Sequence, residues 1–133
     1  MKAFHIDIVT PDGIEYSGEV ESLLVRTDDG DVEILAGHAD LLASLGTGRV
    51  RIIENGTARF GSVNGGFLTV KGKEVSLCAI TFEFADQIDI KRAERAREKA
   101  EASLREAKSD AEIDMSKAKL LRSLSRINVA KMK

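Results

Sequence analysis

The chain has no tryptophan, one tyrosine, one cysteine, one proline and two histidines, and no glycine beyond Gly72. Each shortage removes a class of function. With aromatics at 5% and a formal net charge of −2, there is neither a stacking platform for bases nor an overall basic footprint, so nucleic acid is not an expected partner. The single cysteine, Cys78, excludes an internal disulfide and fits a reducing compartment. It lies in the apolar run Val75-Ser76-Leu77-Cys78-Ala79-Ile80 and is expected to be a buried strand thiol. His5 and His38 are far apart, with no cysteine cluster and no His-x-x-x-His, so no zinc site is expected, and His38 reads as a hydrogen-bonded corner or contact residue. No run approaches the ~20 apolar residues that span a bilayer. The start, Met1-Lys2-Ala3-Phe4-His5-Ile6-Asp7, enters a strand-like alternation without a signal-peptide pattern. A soluble chain without direct membrane insertion is expected.

Catalytic groupings are missing as well. The serines lack a nucleophile-elbow context, and Asp28-Asp29 reads as an exposed turn, so an active site of its own is not expected. In Ser62-Val63-Asn64-Gly65-Gly66-Phe67-Leu68-Thr69-Val70 the paired glycines lack the Lys-Ser/Thr and the following helix of a phosphate loop. A tight turn or bulge is the expected role.

What is present changes character near residue 86. Residues 1–85 hold every glycine and 7 Lys+Arg against 13 Asp+Glu, a net of −6; residues 86–133 hold 13 against 9, a net of +4. The acidic body has β-type runs at Phe4–Val9, Val20–Thr27, Val32–Leu35, Leu41–Leu45, Arg49–Glu54, Thr57–Val63, Phe67–Lys71 and Glu74–Phe84, bounded by Gly, Asn or Asp. Hairpin signals at Glu54-Asn55-Gly56 and Lys71-Gly72-Lys73 predict an antiparallel β-sandwich or flattened barrel over residues 1–85.

The basic remainder, residues 86–133, predicts an antiparallel two-helix hairpin. From Asp89, the positions Ile90, Ala93, Ala96, Ala100, Leu104 and Ala107 recur at intervals of three and four among charges, a thin apolar stripe. Ser109 or Asp110 is the expected N-cap of a second helix to about Val129, with Ala111, Met115, Ala118, Leu121, Leu124 and Ile127 as its apolar positions. The two should pack alanine against alanine. Burying an alanine methyl gains only ~1 kcal/mol, against several for leucine, so such a hairpin is weakly held and suited to two arrangements.

Three segments carry a family resemblance: Asp7-Ile8-Val9-Thr10-Pro11-Asp12-Gly13, then Gly37-His38-Ala39-Asp40-Leu41-Leu42 with Gly48-Arg49-Val50-Arg51-Ile52, then Ser62 to Val70. In this order, with the closing Leu124-Ser125-Arg126-Ile127-Asn128-Val129-Ala130, the whole chain resembles the ε subunit of the bacterial F-type ATP synthase, counterpart of the mitochondrial δ subunit. The resemblance implies a non-catalytic central-stalk subunit without a required cofactor, peripheral on the cytoplasmic face of the cell membrane. Its sandwich would bind the γ subunit and rest on the c-ring, with Asp31 and His38 on the c-ring side. Its hairpin would rise beside γ to block ATP hydrolysis, bringing Arg122 and Arg126 to the catalytic α/β subunits. Some members bind ATP as a regulatory ligand through Ile/Leu-Asp-x-x-Arg-Ala, matched here by Ile88-Asp89-Ile90-Lys91-Arg92-Ala93. The supporting residues are matched by Glu83, Arg122 and Arg126, and Lys99 stands where the tighter binders have arginine. Read as chemistry, Arg92, Lys99, Arg122 and Arg126 offer donors to a triphosphate, and Glu83 and Asp89 offer acceptors to adenine or ribose. Read as structure alone, Asp89 is a helix N-cap among surface charges. A free-standing nucleotide-sensing module is the alternative function.

Overall fold

The structure, a computed structural model, describes residues 2–132. Seven strands form one sheet in the order β2-β1-β7-β6-β5-β3-β4. They are β1 (Phe4–Thr10), β2 (Gly13–Val20), β3 (Ser22–Thr27), β4 (Gly30–Leu35), β5 (Leu41–Glu54), β6 (Thr57–Lys71) and β7 (Glu74–Phe84). All neighbours run antiparallel except β1 and β7, which pair in parallel from His5 opposite Glu74 to Val9 opposite Cys78. The antiparallel body expected from the sequence thus contains one parallel pair. The parallel pair arises because the first and last strands of the body meet, joined by the rest of the sheet instead of a hairpin. The sheet folds over on itself, so that Tyr16 of β2 hydrogen-bonds Glu54 of β5 and Glu21 accepts the Gly56 amide at 2.8 Å.

The fold-over depends on the long strands. Leu41–Leu45 and Arg49–Glu54 are one strand, as are Thr57–Val63 and Phe67–Lys71. The glycine pair expected to make a turn or bulge kinks β6 without breaking it. The register of β6 against β7 is the same before and after it, Asn64 opposite Thr81 and Gly66 opposite Ala79, so no residue is inserted. Gly65 and Gly66 have φ of 65° and 114°, a local bend that only glycine makes cheaply. By contrast Asn55-Gly56, at φ 51° and 77°, makes the two-residue turn that the sequence signals.

Alternation along the strands sends Phe4, Ile6, Ile8, Leu23, Val25, Val50, Ile52, Val63, Leu68 and Leu77 into one continuous core. The opposite face of β1 carries His5 and Asp7. His5 Nε2 lies 3.0 Å from Asp7 Oδ1, its Nδ1 lies 3.4 Å from Glu19, and Ser17 donates to Asp7 at 2.6 Å. The bond to Asp7 is the largest cause that holds the His5 pKa above its ordinary 6.5; burial opposes it, and the charge of Asp7 and the Glu19 carboxylate add smaller rises. A raised native pKa means that the folded state binds the proton more tightly. The stabilisation is complete below 6.5 and is lost as pH rises through the raised value. Thermal unfolding at several pH values should therefore show a small extra stability on the acid side of neutrality that His5→Gln abolishes. An identical profile for the variant would refute it.

After a short 3-10 turn at Ala85–Gln87 come α1 (Ile90–Glu106) and α2 (Asp110–Ala130). Asp89 caps α1 by accepting the Arg92 amide at 3.1 Å. Ser109, not Asp110, caps α2 by accepting the Glu112 amide at 3.2 Å, while Glu112 accepts the Lys108 amide at 3.0 Å. The helices are antiparallel, but α2 turns a different face inward than its apolar positions suggest. Ser116, Ser123 and Ile127 are buried, whereas Met115, Leu121 and Leu124 are 61%, 52% and 38% exposed, and Ala111 and Ala118 are exposed too. The alanines of α1, with only Ala93 and Ala100 buried, leave little depth, so small serines fit opposite them and leucines do not. The lower end of α2 packs on the sandwich, where Val129 and Ala130 join Ala85, Ile88, Phe60 and Ile90 in a small apolar cluster. No helix among the described residues is long and apolar enough to cross a membrane.

Candidate functional site

The C-terminal end of β7, the turn after it and the facing sides of α1 and α2 enclose two adjoining clefts. One, of about 270 Å³, is lined by Glu83, Ile88, Asp89, Arg92, Ala93, Ala96 and Arg126. The other, of about 250 Å³, is lined by Ala96, Lys99, Ala100, Ser103, Lys119, Arg122, Ser123 and Arg126. They share Ala96 and Arg126 and together contain all eight residues singled out from the sequence as candidates for ATP. Side by side they reach the size of a small-ligand pocket, ~300 Å³ or more.

Local structure sets each side chain. Ile88 and Ala93 are buried and shape the wall: Ile88 lies against Val129 and Ala130 in the apolar cluster, and Ala93 sits on the inner face of α1. Asp89 uses one carboxylate oxygen on the helix cap, which fixes its position at the cleft mouth. Arg92 and Lys99, two turns apart on α1, are exposed, and Arg122 and Arg126, one turn apart on α2, are half-buried. Arg126 Nε meets Glu83 Oε1 at 3.0 Å. Arg92, Lys99 and Arg122 have no ion-pair partner among the described residues. Five cations, these four and Lys119, against the carboxylates of Glu83 and Asp89 leave the clefts with excess positive charge, an environment for a polyanion. No group of three or more metal-ligating side chains occurs among the described residues.

The other two candidate positions are not brought together. Asp31, near the start of β4, accepts from Arg26 Nε at 2.8 Å and faces the space beside Leu124 and Asn128 of α2. His38 lies beyond the far end of β4, donating through Nδ1 to the Ala39 carbonyl oxygen at 2.6 Å, in a hollow with Lys2, Phe4, Gly72 and Lys73. The corner role expected for His38 agrees with this geometry.

One surface went unread in the sequence. On the outer face of the sheet, Leu42, Phe67 and Ile80 are 71%, 57% and 60% exposed on the adjacent strands β5, β6 and β7. Cys78 stands directly opposite Phe67 and is exposed, which corrects the expectation of a buried thiol. Alternation puts Leu77 and Ala79 inward and therefore Cys78 outward, a signal that the continuous apolar run masked. Clustered exposed apolar side chains of this kind mark an interaction surface.

Comparison with known proteins finds matches along the whole chain. Residues 3–85 match the family described as the ATP synthase delta/epsilon chain beta-sandwich domain, and residues 86–131 match the ATP synthase delta/epsilon chain long alpha-helix domain. The chain is 37% identical over 130 residues to the ATP synthase epsilon chain of Bacillus pumilus and 38% identical over 130 residues to that of Bacillus subtilis, covering 98% of this chain and of each relative. Its fold is similar to a chain of the Euglena gracilis mitochondrial ATP synthase, OSCP/F1/c-ring, with a TM-score of 0.83 at 20% identity, covering 98% of this chain and 82% of that one. A central-stalk/c-ring structure from Tetrahymena thermophila matches at 0.63 and 14% identity, over 96% of this chain and 93% of that one. With both halves matched in order and relatives of this identity over nearly the full length, the chain belongs to the ATP synthase delta/epsilon family, as a non-catalytic epsilon chain.

Proposed function

We propose that the hairpin of this central-stalk chain is an ATP-sensitive brake on ATP hydrolysis. ATP between α1 and α2 favours the closed hairpin, and without it the hairpin rises toward the catalytic α/β subunits. The observation that carries this reading is the convergence of Arg92, Lys99, Arg122 and Arg126 from two helices on one pair of clefts. Such cations repel one another when the helices meet, and a triphosphate relieves the repulsion only in the closed form, so it has the differential affinity a switch requires. The exposed Met115, Leu121 and Leu124 add support, since an apolar stripe facing water in one arrangement is available to a partner in another. The rotor contacts follow the same logic. The outer face around Leu42, Phe67 and Ile80 docks γ, and the edge strand β4, with Asp31 and His38 at its opposite ends, runs over the c-ring on the cytoplasmic side of the membrane.

Calorimetry of ATP binding to the isolated chain tests the nucleotide part. The wild type releases or absorbs heat at up to millimolar ATP. Arg92→Ala and Arg126→Ala each weaken binding roughly 10- to 100-fold, the worth of a charge-assisted hydrogen bond. Lys99→Arg, which restores a planar two-pronged donor, strengthens it roughly 2- to 10-fold. No heat from the wild type, or unaltered binding by both alanine variants, removes the nucleotide from the account.

A further inference from the structure

The start of β1, the β4–β5 connection and the β6–β7 turn surround a hollow of about 630 Å³ at one end of the sandwich. That is the size of a small-ligand site, ~300 to 1,000 Å³, and far more than a bare anion fills. Its apolar lining includes Phe4, which is buried, and Ala36, which packs against the main core. Its charged lining is of one sign. Lys2, His38 and Lys73 border it, no carboxylate does, and none of the three has an ion-pair partner among the described residues. The one acid in the two connections, Asp40, is committed to the Gly72 amide at 3.0 Å. In a body of net charge −6 this hollow is a local exception, and screening over about 8 Å at physiological salt lets the local sign govern. Because His38 Nδ1 donates to the Ala39 carbonyl, the neutral ring keeps Nε2 as an acceptor with no partner among the described residues. Leu35, the last residue of β4 and next in the chain to Ala36, is 48% exposed.

We infer that this hollow holds the headgroup of an anionic phospholipid. The phosphate lies between Lys2 and Lys73, a headgroup hydroxyl donates to His38 Nε2, and the glycerol backbone covers the apolar lining beside Phe4 and Ala36. Each part of the ligand answers one part of the site: an inorganic anion leaves the apolar lining wet, and a zwitterionic lipid answers the lysines with a phosphate and then sets its own cation beside them. The choice of a membrane lipid rests on the orientation given above, with His38 and β4 on the membrane side; the amphiphilic character of the hollow does not. Each lysine near an anionic membrane surface strengthens binding roughly fivefold. Two lysines make no anchor. They suit a chain already held at the membrane by its complex, where a weak second contact gains from the high local concentration of lipid.

Short-chain phosphatidylglycerol, kept below its micelle concentration, is titrated into the full chain while amide chemical shifts are followed by NMR. The shifts should move at Gly37, His38, Gly72 and Lys73 and saturate together. Lys2→Gln and Lys73→Gln should each weaken binding roughly fivefold and the double variant roughly 10- to 30-fold, while Lys71→Gln, on the same hairpin but outside the hollow, should leave it within about twofold. Equal weakening by Lys71→Gln makes the effect diffuse surface charge and overturns the inference. So does the same response to inorganic phosphate at equal concentration, which marks a plain anion site, or to short-chain phosphatidylcholine, which marks an apolar hollow without headgroup selection. Cross-linking from His38→Cys to the c-ring in the assembled enzyme checks the orientation separately. Binding without that cross-link keeps the headgroup site and removes the orientation; the cross-link without binding keeps the orientation and overturns the inference.

Discussion

A chain ending at Ala85 should fold, dock onto γ, and yield an assembled ATPase whose hydrolysis is faster at low ATP and no longer rises by relief of a block as ATP is added. The physical ground is the location of the core. Every member of the main apolar cluster, from Phe4 to Phe84, lies within the sandwich, and none comes from a helix. The hairpin rests on it through Ile88, Val129 and Ala130 against Phe60 and Ala85, a small contact whose loss costs stability without opening the core. The exposed apolar face around Leu42, Phe67 and Ile80, proposed to dock γ, lies on β5, β6 and β7 and stays intact. Cooperative thermal unfolding and γ binding of the fragment check the first half of this expectation, and steady-state hydrolysis checks the second. A fragment that does not fold contradicts the independence of the sandwich. Hydrolysis identical to that of the full-length assembly at every nucleotide concentration contradicts a braking hairpin and leaves the rotor role in place.

Gly66→Ala should be the most damaging single methyl in the sandwich. A Cβ at this position falls 1.9 Å from the Cys78 carbonyl oxygen and 2.9 Å from the Ala79 Cα, both backbone atoms of β7 that cannot rotate away, and φ is 114°. The conformational strain alone is worth about 1 to 3 kcal/mol, and separating β6 from β7 raises the total to about 3 to 5 kcal/mol, a large part of the stability of a domain this size. Gly65→Ala next to it is the control. Its φ of 65° is tolerable to other residues, and its nearest neighbour is Ile80 Cδ1 at 2.8 Å, the far end of a side chain that can swing. It should cost about 1 to 2 kcal/mol. Denaturant unfolding of the two variants measures the difference, and equal destabilisation would show that the kink in β6 is not what demands glycine at position 66.

Those glycines illustrate where the sequence was legible and where it was not. Local signals worked when local physics decides. Asn55-Gly56 turns because both residues take positive φ, and Asp89 and Ser109 cap because each precedes three exposed amides. Gly65-Gly66 reads as a turn or bulge because turn, bulge and kink look alike in composition; only the pairing on both sides, with unchanged register, makes it one bent strand. The parallel meeting of β1 and β7 is a tertiary outcome that no local pattern announces. On α2 the leucine-rich stripe is the one its apolar positions point inward, but the shallow alanine face of α1 accepts Ser116 and Ser123 instead. The ATP candidates were found by a motif and its family resemblance, and they lie together. Asp31 and His38 came from the same source and lie apart, because β4 separates them along its whole length.

The central claim is that the hairpin must leave the sandwich to restrain hydrolysis. Ser62 and Ser125 offer a direct test, since their hydroxyl oxygens are 3.0 Å apart across that junction. Ser62→Cys with Ser125→Cys, in a Cys78→Ser background, places two thiols facing each other across that junction for closure into a disulfide of ~2.05 Å. Hydrolysis by the assembled ATPase is then measured oxidised and reduced, with and without added ATP to saturate the hairpin. The account predicts that the oxidised enzyme is fully active at every ATP concentration and that reduction restores restraint at low ATP. Restraint at low ATP that is as strong in the oxidised enzyme as in the reduced one would contradict it.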